Sequence, residues 1–296
     1  MLNTVVRLMS AGGVEAARGE LTIAKAALLG IVEGITEYLP ISSTGHLIVT
    51  ERLIDVGQHP ATKDAADTYT ITIQAGAILA VLVLYHRRLM SMLRGVAGRD
   101  TAGRQISVAT IIAFIPAAFT GVVLEKAIKN HLFGVWPVIV AWVVGGVVIL
   151  VFSRRFFARG HATGAPLERV TVRMALVIGA AQCIALWPGT SRSMVTILAA
   201  LAVGLSVGAA VEFSFLLGLL TLSAATAYDV LKHGKEMFDT FGVVAPVVGF
   251  IFAFVAAVIA VRWLVTYLQR HGLEIFGWYR LGVAALALIL LATHAI

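Results

Sequence analysis

Twice in this chain an apolar stretch runs into a proline-containing polar turn and resumes as a second short apolar stretch, at residues 21–54 around Pro40 and at residues 174–205 around Pro188 and Gly189. Each arm is shorter than the roughly 20 residues a helix needs to cross a bilayer. A backbone broken at membrane depth is tolerated only where protein or a water-filled cavity covers its polar groups. Each pair of arms therefore reads as a re-entrant helical hairpin. Pro40 ends its first arm because the ring clashes with the preceding turn and has no N–H to donate. Longer apolar runs lie at 69–85, 107–124, 132–152, 209–230, 243–262 and 276–295. With 59% hydrophobic and 13% charged residues, the chain has too little polar surface for a soluble domain. The expected fold class is an all-α polytopic membrane protein.

Each half holds one hairpin and three spans. Three is odd, so the second copy is inverted in the membrane, an inverted-topology repeat whose broken helices meet near the midplane. Repeat 1 covers residues 21–153 and repeat 2 residues 154–296, in a single membrane domain behind an N-terminal extension of residues 1–20. That extension mixes Leu2, Val5 and Leu8 with Arg7, Glu15 and Arg18, which is not the pattern of a cleavable signal peptide. Eight ordinary spans without re-entry are the simpler alternative, at odds with the length of the arms.

The net charge of +7 sits in arginine clusters between spans: Arg87, Arg88, Arg94, Arg99 and Arg104 in one loop, Arg154, Arg155, Arg159, Arg169 and Arg173 in another. This is the positive-inside signal, and it excludes a nucleic-acid footprint as the source of the charge. Both loops are then cytoplasmic. By the same count the first hairpin opens to the outside and the second enters from the cytoplasm. The single cysteine, Cys183, excludes a disulfide framework and a cysteine-based metal site.

The chemistry concentrates at the two turns. Glu33 and Glu37 are four residues apart on one helical face, where like charges repel by roughly 0.2–0.5 kcal/mol even in water and by more in low dielectric. A divalent cation, Mg²⁺ or Ca²⁺, would offset this, since paired carboxylates with substrate phosphate oxygens are its usual ligands. Ser42, Ser43 and Thr44 follow Pro40 as caps of the next helix, whose free N–H groups suit an anion. His46, three positions after Ser43, is a candidate acid or base, and Ser43 a candidate nucleophile or phosphate cap. In the second turn Arg192 matches a phosphate bidentately, flanked by the hydroxyls of Ser191, Ser193 and Thr196.

The stretch Glu-Gly-Ile-Thr-Glu-Tyr-Leu-Pro-Ile-Ser-Ser-Thr-Gly-His at 33–46 and Trp-Pro-Gly-Thr-Ser-Arg-Ser at 187–193 resemble the two signatures of the undecaprenyl-diphosphate phosphatase family, of the bacitracin-resistance type. Phe-Ser-Phe-Leu-Leu at 213–217 and Ile-Gln-Ala-Gly-Ala-Ile-Leu-Ala-Val at 73–81 extend the resemblance over the whole chain. It implies a multi-pass enzyme of the bacterial cytoplasmic membrane with its site open to the periplasmic face, dephosphorylating a polyprenyl diphosphate lipid. Carried over by position, it implies Glu33 and Glu37 as the acidic pair, Ser43 as nucleophile, His46 as its acid/base partner and Arg192 as diphosphate clamp. Ser42, Thr44, Ser191, Ser193 and Thr196 assist. Met194 and Val195 stand where the family commonly has Gly-Ala. A homodimer is compatible with this reading, and nucleic acid is not a partner. The competing class is an inverted-repeat transporter or flippase for an anionic lipid, which needs binding groups but no nucleophile.

Overall fold

A computed structural model describes residues 20–132, 134–157 and 164–296. The extension at 1–20 therefore lies almost wholly outside the described residues, as does part of the second basic loop. The first pair of short helices is α1 (Ile23–Thr36) and α2 (Ser43–Leu53). There follow α3 (Lys63–Leu84), α4 (His86–Val96), α5 (Thr101–Leu132, with Pro116 inside it) and α6 (Val135–Phe157). The second short pair is α7 (Val172–Gln182) and α8 (Arg192–Ala202), and α9 (Val207–Phe241), α10 (Val244–Leu268) and α11 (Glu274–Ala292) complete the chain. Six of these, α3, α5, α6, α9, α10 and α11, are long and apolar enough to cross a membrane. The chain is an all-helical polytopic membrane protein.

The two short pairs are built alike. Thr22 and Thr171, both extended, cap α1 and α7 by accepting from the N–H of Lys25 and Met174. Ser42 and Ser191 cap α2 and α8 from left-handed backbone, φ 77° and 60°, accepting from Gly45 and Met194 N–H. A positive φ on a residue other than glycine is uncommon, and such strain gathers at functional sites. The spacing from threonine to serine along the chain is the same in both pairs.

Several helices outrun the spans read from hydropathy. α3 starts at Lys63, ahead of the apolar run at 69–85, where Asp64 meets the positive end of the helix dipole and Lys63 pairs with Asp67 at 3.2 Å. α5 continues past the apolar run at 107–124 to Leu132, and α9 past that at 209–230 to Phe241. In α9 this extension is helical because it is amphipathic: Gly234, Met237 and Phe241 are buried while Lys232, Lys235 and Glu236 are exposed. The first basic loop likewise contains α4, locked against α5 where a Cβ on Gly95 would stand 2.0 Å from the Arg104 nitrogen.

The helices of the two halves interlock. α1 lies along α10 in backbone contact: a Cβ on Gly30 would fall 2.2 Å from the Gly249 carbonyl oxygen, and one on Gly34 2.3 Å from that of Ala253. These are small residues four apart on both helices, the spacing that lets helices approach closely in lipid. α3 packs on α9 and α10, α5 on α7, and α6 on α11. The apolar core formed this way includes Tyr38, Phe213 and Phe215 and surrounds the first turn.

Candidate active site

The breaks between α1 and α2 and between α7 and α8 face one another across a cleft of about 190 Å³, lined among others by Glu37, Ser42, Ser43, Gln74, Ser191 and Arg192. Glu37, just past the end of α1, joins both sides of it. One carboxylate oxygen accepts a hydrogen bond from the Ser43 hydroxyl at the start of α2. The other takes the Arg192 guanidinium at 3.3 Å, at the start of α8. Both charged side chains are nearly buried, 10% and 6% exposed, so the attraction is poorly screened. A second Arg192 nitrogen donates to the Ser214 carbonyl at 2.9 Å, and its Nε has no partner in the structure. Gly218 makes room for this arginine: a Cβ there would lie 2.1 Å from Nη1.

The remaining hydroxyls divide by position. Ser42 and Thr44 line the cleft, and Thr44 is exposed to it. Ser191 also lines it, while its hydroxyl lies 3.0 Å from that of Ser193, which donates to the Leu39 carbonyl at 2.9 Å. That bond ties the second turn to the first. Thr196 is fully buried away from the cleft, its hydroxyl 2.6 Å from Ser214 Oγ. Thus Ser193 and Thr196 hold the turn that presents Arg192.

His46 does not join Ser43. Its Nδ1 lies 2.6 Å from the Ser42 carbonyl oxygen and its Nε2 2.9 Å from the Tyr279 hydroxyl, with the ring stacked on Tyr279. The three-residue offset places the ring on the flank of α2 that meets α6 and α11, where Trp142 and Tyr279 receive it. The partner of the Ser43 hydroxyl is Glu37.

Glu33 is 1% exposed, and neither of its carboxylate oxygens has a hydrogen-bond partner in the structure. Among the described residues no group of three or more His, Cys, Asp and Glu side chains gathers as a metal cluster. Glu33 and Glu37 are nevertheless hard oxygen donors of the kind Mg²⁺ or Ca²⁺ takes. The orphaned Glu33 carboxyl is the observation that fits such an ion.

Four residues to which the sequence assigned no role belong to this centre, Gln74 among them although it lies in the 73–81 stretch. Gln74 and Gln182 line the cleft, and Gly218 admits the guanidinium. Arg280 of α11, fully buried, donates to the Ala141 and Gly189 carbonyls at 2.8 Å and to those of Trp142 and Pro40 at 3.4 Å. A signal for Gly218 was the Phe-Ser-Phe-Leu-Leu stretch that it directly follows.

Fold and site together define a multi-pass helical membrane protein with a carboxylate, a hydroxyl, a guanidinium and two helix N-termini converging on one cleft, a class suited to a phosphorylated ligand. The chain belongs to the bacitracin resistance protein BacA family, whose model matches residues 26–286. It is 47% identical over 266 residues to an undecaprenyl-diphosphatase of Sorangium cellulosum, covering 89% of this chain and 84% of that protein. It is 46% identical over 270 residues to undecaprenyl-diphosphatase 2 of Rhodospirillum rubrum (91% and 94% covered). To the undecaprenyl-diphosphatase of Bradyrhizobium diazoefficiens it is 43% identical over 271 residues (90% and 97% covered).

Proposed function

We infer that this chain hydrolyses undecaprenyl diphosphate to undecaprenyl phosphate and inorganic phosphate, returning the lipid carrier to cell-wall synthesis. Family membership supplies the substrate, and the Ser43–Glu37–Arg192 arrangement is the observation that carries the chemistry. The Ser43 oxygen attacks the terminal phosphorus while its proton passes to Glu37. The bond from that phosphorus to the bridging oxygen breaks, and undecaprenyl phosphate leaves with the electron pair. Water then attacks the seryl phosphorus, the bond to Ser43 Oγ breaks and Glu37 returns its proton to that oxygen, so inorganic phosphate leaves and one water is consumed overall. Arg192 and the N–H groups at the starts of α2 and α8 stabilise charge on the transferred phosphoryl group, which is most of what this reaction requires. Glu33 and Glu37 are the residues that would hold a divalent cation, which when bound neutralises charge on the diphosphate oxygens.

The finer architecture follows the same reading. Residues 21–153 and 154–296 are inverted repeats, and the arms at 21–54 and 174–205 re-enter the membrane without crossing it. Matched threonine and left-handed serine caps support this. The arginine-bearing α4 side faces the cytoplasm of a bacterial inner membrane, and the cleft opens toward the periplasmic face.

The test is phosphate release from undecaprenyl diphosphate by purified protein in detergent, with and without chelator, for wild type, Ser43→Ala and Arg192→Ala. Release by wild type that chelator stops and both folded variants lack supports hydrolase and cation together. A folded wild type that binds the lipid yet releases nothing with Mg²⁺ or Ca²⁺ supplied overturns the enzyme reading in favour of transport.

A further inference from the structure

We propose that Arg280 is a positioning residue: its guanidinium fastens the two helix breaks to one another through their carbonyls and so sets the gap between Ser43 and Arg192. The proposal rests on the hydrolase reading only for its kinetic consequence. A guanidinium at membrane depth pairs with a carboxylate or with backbone carbonyls, or reaches toward an interface. Arg280, fully buried, has backbone carbonyls as its hydrogen-bond acceptors. Two of these are carbonyls freed by the broken helices, Pro40 in the first turn at 3.4 Å and Gly189 in the second at 2.8 Å. The other two, Ala141 at 2.8 Å and Trp142 at 3.4 Å, belong to α6.

The rest of the surroundings is shaped for this fork. Gly145 of α6 leaves the space, since a Cβ there would stand 2.4 Å from Arg280 Nη2. Trp142 adds a parallel tie, its indole N–H donating to the Ile41 carbonyl at 3.1 Å. The turn carrying Ser42 and the turn carrying Ser191 are thus anchored to one post made of α6 and α11. Lysine, with a single nitrogen on a flexible stem, cannot reproduce a planar fork that reaches carbonyls on two turns.

The experiment uses the full chain in detergent as wild type, Arg280→Met, Arg280→Lys and Gly145→Ala. Amide hydrogen exchange is read over residues 37–42 and 187–191 against α3 and α10, alongside kcat and KM for phosphate release. Faster exchange confined to the two turns in Arg280→Met and Gly145→Ala supports positioning. So does a fall in kcat of about a hundredfold at little-changed KM, the scale expected of an ångström's misplacement. Arg280→Lys should recover only part of either. Exchange unchanged at the turns, or raised equally in α3 and α10, overturns the proposal, as does a lysine variant equal to wild type. If Arg280→Met yields no folded protein, Arg280→Lys and Gly145→Ala supply the same comparison. The exchange result decides positioning even where wild type releases no phosphate, an outcome that counts only against the hydrolase reading.

Discussion

Glu37 and Arg192 each leave the other stranded if removed. A buried pair broken on one side typically costs about 3–5 kcal/mol because the survivor is uncompensated. Arg192→Met alone should therefore lower the unfolding midpoint in detergent markedly, and adding Glu37→Gln should restore most of it. Both variants should be inactive, by about 10²–10³ in kcat or more for loss of the arginine. Arg192→Lys should stay poorly active, since one ammonium cannot serve Glu37 and the Ser214 carbonyl as the fork does. His46→Gln should cost far less than Ser43→Ala, because the ring touches Tyr279 and the Ser42 carbonyl instead of the Ser43 hydroxyl. Comparing kcat for the two variants checks this. The convergence of Ser43, Glu37 and Arg192 was legible because carboxylates, serines and an arginine interrupt apolar sequence where only function explains their cost. Arg280 was not, since its partners are backbone carbonyls, which leave no trace in side-chain pattern.

Between elements the decisive contacts are glycines. Replacing Gly34 by valine would drive side-chain carbons into the Ala253 carbonyl and should destabilise the α1–α10 seam by about 1–3 kcal/mol, read as a lower melting temperature in detergent. Gly30 and Gly34 stand four apart in the sequence, but the helix they meet lies far along the chain and nothing local points to it. The α4–α5 joint depends on Asp100, whose carboxylate accepts from Gly103 N–H at 2.8 Å and Ser91 Oγ at 2.6 Å. Those bonds hold its pKa below the ordinary aspartate value. The group therefore stabilises the fold above the unfolded-state pKa of about 3.9 and loses that effect as pH falls through its lower folded value. Asp100→Asn should flatten the acid side of a stability–pH titration. Helix ends proved harder to read than helix centres. At 231–242 charged residues that hydropathy reads as a loop are the wet face of α9, while Gly234, Met237 and Phe241 keep the other face packed.

For the molecule as a whole, the proposed inverted arrangement makes a labelling prediction. With Cys183 replaced, a membrane-impermeant maleimide applied to intact spheroplasts should modify a cysteine at Leu231, which is 88% exposed, and spare one at Arg94 of α4. The reverse pattern, or labelling of both, would refute the assigned orientation. The six long apolar helices and the two interruptions were evident from composition and proline placement; how the halves pair was not, because long-range partner choice rests on shape. That pairing bears on how a lipid is served. A transporter that alternates by swinging one half against the other needs a plane of slip between them. Here α1 is laid against α10, α5 against α7 and α6 against α11, so each half reaches into the other and any such plane cuts through backbone contacts. These seams join the halves into one packed body, so a rocking route to transport would first have to part the Gly30–Gly249 and Gly34–Ala253 approaches.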